Sequence, residues 1–354
     1  MSIIVEDRVG RLFGKIQHYA WGGYSFLPVL IGLQPEPGKT YAEYWMGAHE
    51  KAPSQILQSD GTTVALNDII KEQPEKTLGQ YVAREYGRLP FLLKVLDVRE
   101  MLSIQVHPTK SEAEAGFARE NEMGIPLDAP ERNYKDDNHK PELGVALSDF
   151  WLLYGFRLED QLRAVLDQVP EFRVLKPVFA DGGYFGLYKY VMEMPQASVD
   201  ELLGPLVERV SRKYRAGELD ESAPDYWAAK TIQEEQVGNY DRGIFSIYFF
   251  NLVKLKPGQA TFQDAGVPHA YLQGQTMEIM ANSDNVVRGG LTPKHIDVPQ
   301  LLRLTRCKGM VPEIIESRQN AHPHEIFYKT PSHEFCLSRI HLGGGELYEN
   351  VASS

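Results

Sequence analysis

Cysteine is scarce in this chain, with only Cys307 and Cys336 among 354 residues. Two thiols with no CxxC spacing offer no cysteine-bound metal, and free thiols are the default in a reducing compartment. Long apolar runs are also missing. No stretch of about 18 apolar residues occurs, so no transmembrane helix is expected. The amino terminus, MSIIVEDRVGRLFG, carries acids where a signal peptide needs bases and a long apolar core. A cytoplasmic protein is therefore expected. Positive charge is in deficit: 37 Lys and Arg face 48 Asp and Glu, a net charge of −11. That balance argues against nucleic acid as a partner. It leaves room for a small anionic substrate if a few basic side chains converge. Repeats, low-complexity tracts and linkers are absent as well.

What is present is ordinary for a globular protein: 43% apolar and 24% charged residues. A chain of 354 residues exceeds the roughly 250 that one core usually serves, so two or more domains are expected. The first 150 or so residues read as β-rich. LPFLLKVLDV (89–98) and MLSIQVHP (101–108) are strand-like and close enough for an antiparallel pair. SEAEAGFARENE (111–122) reads as a short helix with Ser111 as N-cap and Glu114 three residues on. The polar stretch 124–147, with three prolines, reads as an ordered loop that leads into a strand.

After Arg157 the period changes. Leu158, Leu162, Val165 and Leu166 share one helical face. SVDELLGPLVERVSRKY opens with a capping-box pattern, Ser198 and Glu201, and continues with Leu203, Leu206, Val207 and Val210 at helical spacing. DYWAAKTIQEEQVG reads as a third helix closed by Gly238. Short strands then return over 251–262, 267–275 and 276–287, and a last β-like stretch lies near the end. The expected division is 1–157 and 244–310 for one β domain, 158–243 for a helical insertion, and 311–354 for a C-terminal β domain.

Three stretches carry chemistry. In MLSIQVHPTK, Ser103, Gln105 and His107 alternate with Leu102, Ile104 and Val106, which puts the polar trio on one strand face and the apolar trio on the other. In NHKPE, Glu142 follows a proline at the entry of a strand. In PGQATFQDAGVPHAYL, His269 stands at the entry of a returning strand. Alone, each has a bland reading: a polar outer face, a charged loop, a core histidine. Together, two imidazoles, one carboxylate and one amide oxygen suit a borderline divalent metal such as zinc. Spacing alone does not show that the four converge.

These stretches, with IQHYAWGGY, YAEYWMGAHE and SDNVVRGGLTPK, resemble the type I mannose-6-phosphate isomerases, zinc enzymes of the cupin superfamily. The likeness runs in order from about residue 11 to about residue 310. It implies a mainly β fold of cupin-type jelly-roll barrels with a helical insertion, in keeping with the β, helix, β order above. It implies that Gln105, His107, Glu142 and His269 bind one zinc ion per chain. It matches Arg288 to the family's active-site arginine, and Ser103 and Lys94 to positions associated with the substrate phosphate. The implied reaction interconverts D-mannose 6-phosphate and D-fructose 6-phosphate through a cis-enediol. The implied partner is the small sugar phosphate alone, and a monomer is expected.

Such an isomerisation needs a Lewis acid at the oxygens, a base that carries a proton between two carbons, and cations at the phosphate. For the base, His49, Lys140 and Glu278 are the candidates, and the sequence does not choose among them. Lys294, in GLTPKH, is placed near the pocket or in solvent with equal weight. His322 and His324 form an H-x-H in AHPHE that reads as a solvated loop, and His18, His333 and His341 have no usable spacing. Gln259 stands where many relatives carry an acid, outside the ligand set. The chain stops where the family's second barrel is expected to add strands. Two other readings compete: an Fe(II) oxygenase built on His107, Glu142 and His269, which Gln105 disfavours, and a sugar-phosphate-binding cupin without catalysis.

Overall fold

The segment HAYLQGQTMEIMA alternates buried and half-buried residues over its middle and contains no proline, and it forms one strand, His269–Ala281. The expected pair of short strands divided at Thr276 is thus a single element. The computed structural model that shows this describes residues 10–232, 236–316, 318–319 and 324–349. The strand bends near Gly274, at φ +119°, where a Cβ would stand 2.4 Å from the Asp149 carbonyl oxygen. Only glycine lets the two backbones approach so closely. Before the bend it pairs with Phe150–Phe156 and with Gln105. After the bend Phe91–Val98 flanks it on one side and Glu142–Ala146 on the other. One long strand is therefore shared by both halves of a ten-stranded antiparallel assembly, ordered 250–255, 150–156, 269–281, 91–98, 43–47, 15–17 along its main path.

The expected hairpin between 89–98 and 101–108 does not form. The backbone N–H groups of Arg99 and Glu100 both bond to the Trp21 carbonyl, which carries the chain across to the other half of the assembly. There the strand proper is only Gln105–Val106, paired with Val287–Arg288 and with His269. The expected common apolar face also divides. Ile104 and Val106, both fully buried, pack into the helical core, whereas Leu102 lies against Leu96, Val98 and Tyr271. Ahead of Gln105 the chain is not a regular strand, so strict alternation does not apply to Leu102.

Helices run from Glu159 to Phe249, six residues past the expected boundary at 243, because Gly243–Phe249 is itself helical. Leu162 and Leu166 are the buried residues of the first of these helices, as their spacing predicts. The expected caps are displaced. The helix Gln196–Arg215 begins behind Pro195 with no side-chain cap, so Ser198 lies inside it. The helix Lys110–Glu122 is capped by Thr109, which forms a reciprocal capping box with Glu112 in place of Ser111 and Glu114. The third expected helix ends at Lys230, well before Gly238. Short helices at Leu66–Glu72, Pro74–Leu78 and Gln80–Tyr86, which lack long apolar periodicity, interrupt the N-terminal β region.

The large core joins the two parts. Leu187, Tyr188, Val191, Leu203 and Leu206 of the helices pack with Ile104, Val106, Ala270, Leu272 and Val287 of the strands. Burying each such aliphatic side chain stabilises by roughly 1.5–3 kcal/mol. The strands that lead into His107 and out of His269 are thus anchored from behind by the insertion, whereas Leu143 and Val145 of the Glu142 strand pack in a separate cluster. A separate three-stranded sheet, Arg318–Gln319, Glu325–Tyr328 and Leu337–Ile340, follows near the C-terminus. Of the H-x-H pair, His322 lies outside the described residues, and His324 Nδ1 lies 3.5 Å from Glu346 Oε2. Among the described residues no helix is long and apolar enough to cross a membrane.

Candidate metal centre and active site

The register of the shared strand brings the candidate ligands together. His269 pairs with Gln105, Met280 pairs with Glu142, and His107 follows Val106 directly. One ligand atom each from His107, Glu142 and His269 falls within 4.8 Å of the others, and all three residues are buried. His107 Nε2 lies 3.5 Å from Glu142 Oε1, and His269 Nε2 lies 3.3 Å from Glu142 Oε2. Gln105 lines the same small cavity, of about 60 Å³, with Glu142, His269, Lys94, Lys140 and Glu278.

Hydrogen bonds set the tautomers. His107 Nδ1 donates to the Asn285 carbonyl at 2.8 Å, and His269 Nδ1 donates to the Val267 carbonyl at 3.0 Å. In each ring Nε2 is then the atom that faces Glu142. His107 Nε2 is fully buried without a hydrogen-bond partner, and an orphaned buried lone pair is what a metal ion satisfies. Burial, then the Lys140 charge, pulls His107 down to about 4, so the ring stays neutral. Burial works against the Glu142 carboxylate, but the Lys140 charge beside it outweighs that and holds the group well below the usual range. Two imidazoles and one ionised carboxylate, with the Gln105 amide beside them, fit a zinc ion.

The outer bracing comes from SDN (283–285) and the loop before Glu142. The Asn285 side chain accepts from the backbone N–H groups of Lys135 and Asp136 and donates to the Asp136 and Asn138 carbonyls. These bonds fix the carbonyl that orients His107.

The other sequence candidates separate by place. Lys140 Nζ lies 3.1 Å from Glu142 Oε1. Glu278 accepts from the Tyr271 hydroxyl at 2.8 Å and from Lys94 Nζ at 3.1 Å. Burial, then the Glu142 charge, raises its carboxyl. Lys94 also lies 3.9 Å from Glu43 and over the Trp45 ring. Burial opposes its charge, but Glu43, Glu278 and Glu142 hold the ammonium above its ordinary value. His49 stands apart: Nε2 faces Asp284 at 3.2 Å and Nδ1 accepts from the Lys51 N–H at 3.3 Å. Arg288 is half-buried beside Gln105, and no carboxylate pairs with it among the described residues. Its charge helps to lower Lys294, behind burial, and Lys135, behind burial, Lys51 and Arg132. Ser103 is half-buried.

Sequence reasoning missed Glu43, Tyr271, Asp284 and Lys135. For Glu43 a signal exists: the alternation in EYWMG places Glu43 and Trp45 on one buried face, and the indole N–H of Trp45 donates to Glu43. Lys135 comes near Arg288 through tertiary folding alone, and its ammonium donates to the Leu127 and Ala129 carbonyls.

Comparison with known proteins is consistent along the chain. The family profile for phosphomannose isomerase type I, catalytic domain, matches residues 9–159. The mannose-6-phosphate isomerase of Escherichia coli (strain K12) is 38% identical over 342 residues, 95% of this chain and 84% of that protein. The mannose-6-phosphate isomerase of Homo sapiens is 35% identical over 368 residues, 96% of this chain and 84% of that protein. Among solved structures, the Salmonella typhimurium mannose 6-phosphate isomerase bound to fructose 6-phosphate and zinc superposes with a TM-score of 0.79. It is 36% identical, covering 94% of this chain and 83% of that one.

Proposed function

The chain belongs to the type I phosphomannose isomerases, and from that premise we propose how its residues divide the interconversion of mannose 6-phosphate and fructose 6-phosphate. The observation that carries this reading is the convergence of His107, Glu142 and His269 around an orphaned imidazole nitrogen, in a cavity walled by Lys94, Lys140 and Glu278. Gln105, His107, Glu142 and His269 hold one zinc ion. Bound there, zinc supplies Lewis acidity toward the reacting oxygens of the sugar, a contribution of several kcal/mol. The oxygenase and the non-catalytic readings give way to this one, because the relatives are isomerases by name.

The cavity of about 60 Å³ is too small for a whole hexose phosphate. Only the reacting end of the sugar enters it, and the phosphate stays outside. Lys140 and Glu278 line that cavity and are the groups placed to move a proton between the two carbons. Glu278, its carboxyl raised by burial, is the stronger carboxylate base. His49 has both ring nitrogens engaged, by Asp284 and the Lys51 N–H, and does not line the cavity. Outside, Arg288 and Lys294 are neighbouring cations that no carboxylate pairs with among the described residues, a better cradle for a phosphate dianion than Lys94, whose charge already answers Glu278 and Glu43. Lys94 and Ser103 are then left to the sugar. Residues 1–157 and 244–310 carry the chemistry, and the helices support it. The free thiols of Cys307 and Cys336 and the acidic net charge support a cytoplasmic enzyme, and we take the working unit to be one chain.

The test is His269→Ala, assayed for mannose 6-phosphate turnover and for bound zinc. Both should vanish together. An active, metal-free variant would refute the assignment. Inhibition by inorganic phosphate, measured on Lys294→Ala and Lys94→Ala, separates the two phosphate assignments: the variant that weakens inhibition marks the phosphate end.

A further inference from the structure

The signature segment after Arg288 is held in a costly conformation. Leu291, a branched residue, has φ +55°, in the left-handed region that costs a non-glycine residue about 1 kcal/mol or more. Such strain persists only where the surroundings over-determine it. Just before it, Gly290 passes so near Gly243 that a Cβ on Gly290 would stand 2.5 Å from the Gly243 Cα. On the barrel side the segment is tied to the ligand strand: Ile104 N–H donates to the Gly290 carbonyl at 3.0 Å, and Gly289 N–H donates to the Ile104 carbonyl at 2.9 Å.

What holds the other side is one carboxylate from the helical insertion. Asp241 Oδ1 accepts from Leu291 N–H at 2.8 Å and from Gly243 N–H at 2.6 Å, and Oδ2 accepts from Thr292 N–H at 3.0 Å. Thr292 Oγ1 in turn accepts from Lys294 N–H at 3.1 Å. Asp241 is itself fixed from two helices. Asp200 accepts from the backbone N–H groups of Asn239 and Tyr240, and Arg242 donates to the Met192 carbonyl.

We propose that Asp241 is a positioning residue: it holds the backbone of Leu291 and Thr292 in the shape that aims Arg288 and Lys294 at the substrate phosphate. The inference rests on the phosphate assignment given above. It makes the helical insertion a working part of the site, because the strap crosses from the helices to the loop between two phosphate-side cations. A carboxylate offers two oxygens to three backbone donors. Alanine leaves all three without that partner, and asparagine keeps one carbonyl oxygen.

The experiment measures KM and kcat for mannose 6-phosphate, inhibition by inorganic phosphate, and zinc content in the zinc-loaded full chain. Asp241→Ala should raise KM and the phosphate inhibition constant together by about tenfold, with zinc still at one per chain. Asp241→Asn should give about a threefold rise, and it decides the matter if the alanine variant does not fold. Adding Leu291→Asn to Asp241→Ala should recover part of the loss, since asparagine enters the left-handed region more readily. A purely structural role would not be rescued that way. If Asp241→Ala and Asp241→Asn both leave the inhibition constant within about twofold while Lys294→Ala weakens it, positioning is refuted and the phosphate assignment stands. If Lys294→Ala leaves it unchanged, the phosphate assignment falls and the role of Asp241 falls with it.

Discussion

Ile104 is fully buried, next to the zinc-side Gln105, and its backbone is bonded on both sides to Gly289 and Gly290. Ile104→Ala removes three carbons from that position. At about 0.8 kcal/mol per buried methylene, the lost transfer free energy is roughly 2.4 kcal/mol. If roughly 40 Å³ of the vacated space persists, about 24 cal/mol per Å³ adds close to 1 kcal/mol more. The expected cost is thus about 3–3.5 kcal/mol, inside the range of about 2–5 kcal/mol for such truncations. Ile104→Val removes one carbon and should cost about 1 kcal/mol. Urea unfolding of the chelated protein measures both. Zinc content should remain one per chain, because Glu142 and His269 stand on other strands and the tautomer of His107 is set by Asn285. The loop bearing Arg288 should loosen, because Ile104 Cγ2 would be only 3.0 Å from a Cβ on Gly289 and so supports that glycine directly. A phosphate inhibition constant that weakens while zinc is retained would show it. If both variants cost less than about 0.5 kcal/mol, or if valine costs as much as alanine, the claim that the helical core anchors this strand fails.

Two other predictions follow from single contacts. Gly274→Ala places a Cβ 2.4 Å from the Asp149 carbonyl at φ +119°, so it should lower the thermal midpoint by many degrees or prevent folding; a wild-type midpoint would refute the bend as drawn. Glu334, hydrogen-bonded by His139, has its carboxyl pulled from 4.5 down to about 2, against the opposing effect of burial. A depressed folded-state pKa contributes stability that is present above the unfolded value and is lost as pH falls from about 4.5 toward 2. Glu334→Gln should therefore be less stable than the parent at pH 7, with a narrower gap at pH 3; thermal unfolding at the two pH values is the check, and an unchanged gap would overturn it.

The candidate metal ligands were legible in part because strand alternation is local. Gln105 and His107 two residues apart on one strand face needed nothing beyond the pleat. The helical period in the insertion was legible for the same reason, and Leu162, Leu166, Leu203 and Val210 are buried as their spacing predicts. Helix ends were less so. Thr109 and Ser111 are both capping residues by type, and the choice between them depends on where the preceding strand leaves the chain.

By itself the sequence determined the residue types that suit zinc, the β, helix, β order, and the acidic, cysteine-poor composition. Family likeness extended this to a candidate set of four ligands, of which His107, Glu142 and His269 converge. Only the tertiary structure decided that Glu142 meets both imidazoles, that Lys94 lies between two carboxylates, that His49 is turned to Asp284, and that Asp241 of the insertion grips the signature loop. The physical reason is sequence separation. Alternation and helical period report on neighbours a few residues apart, whereas His107 and His269 are brought together by one shared strand whose register and bend at Gly274 depend on every strand it pairs with.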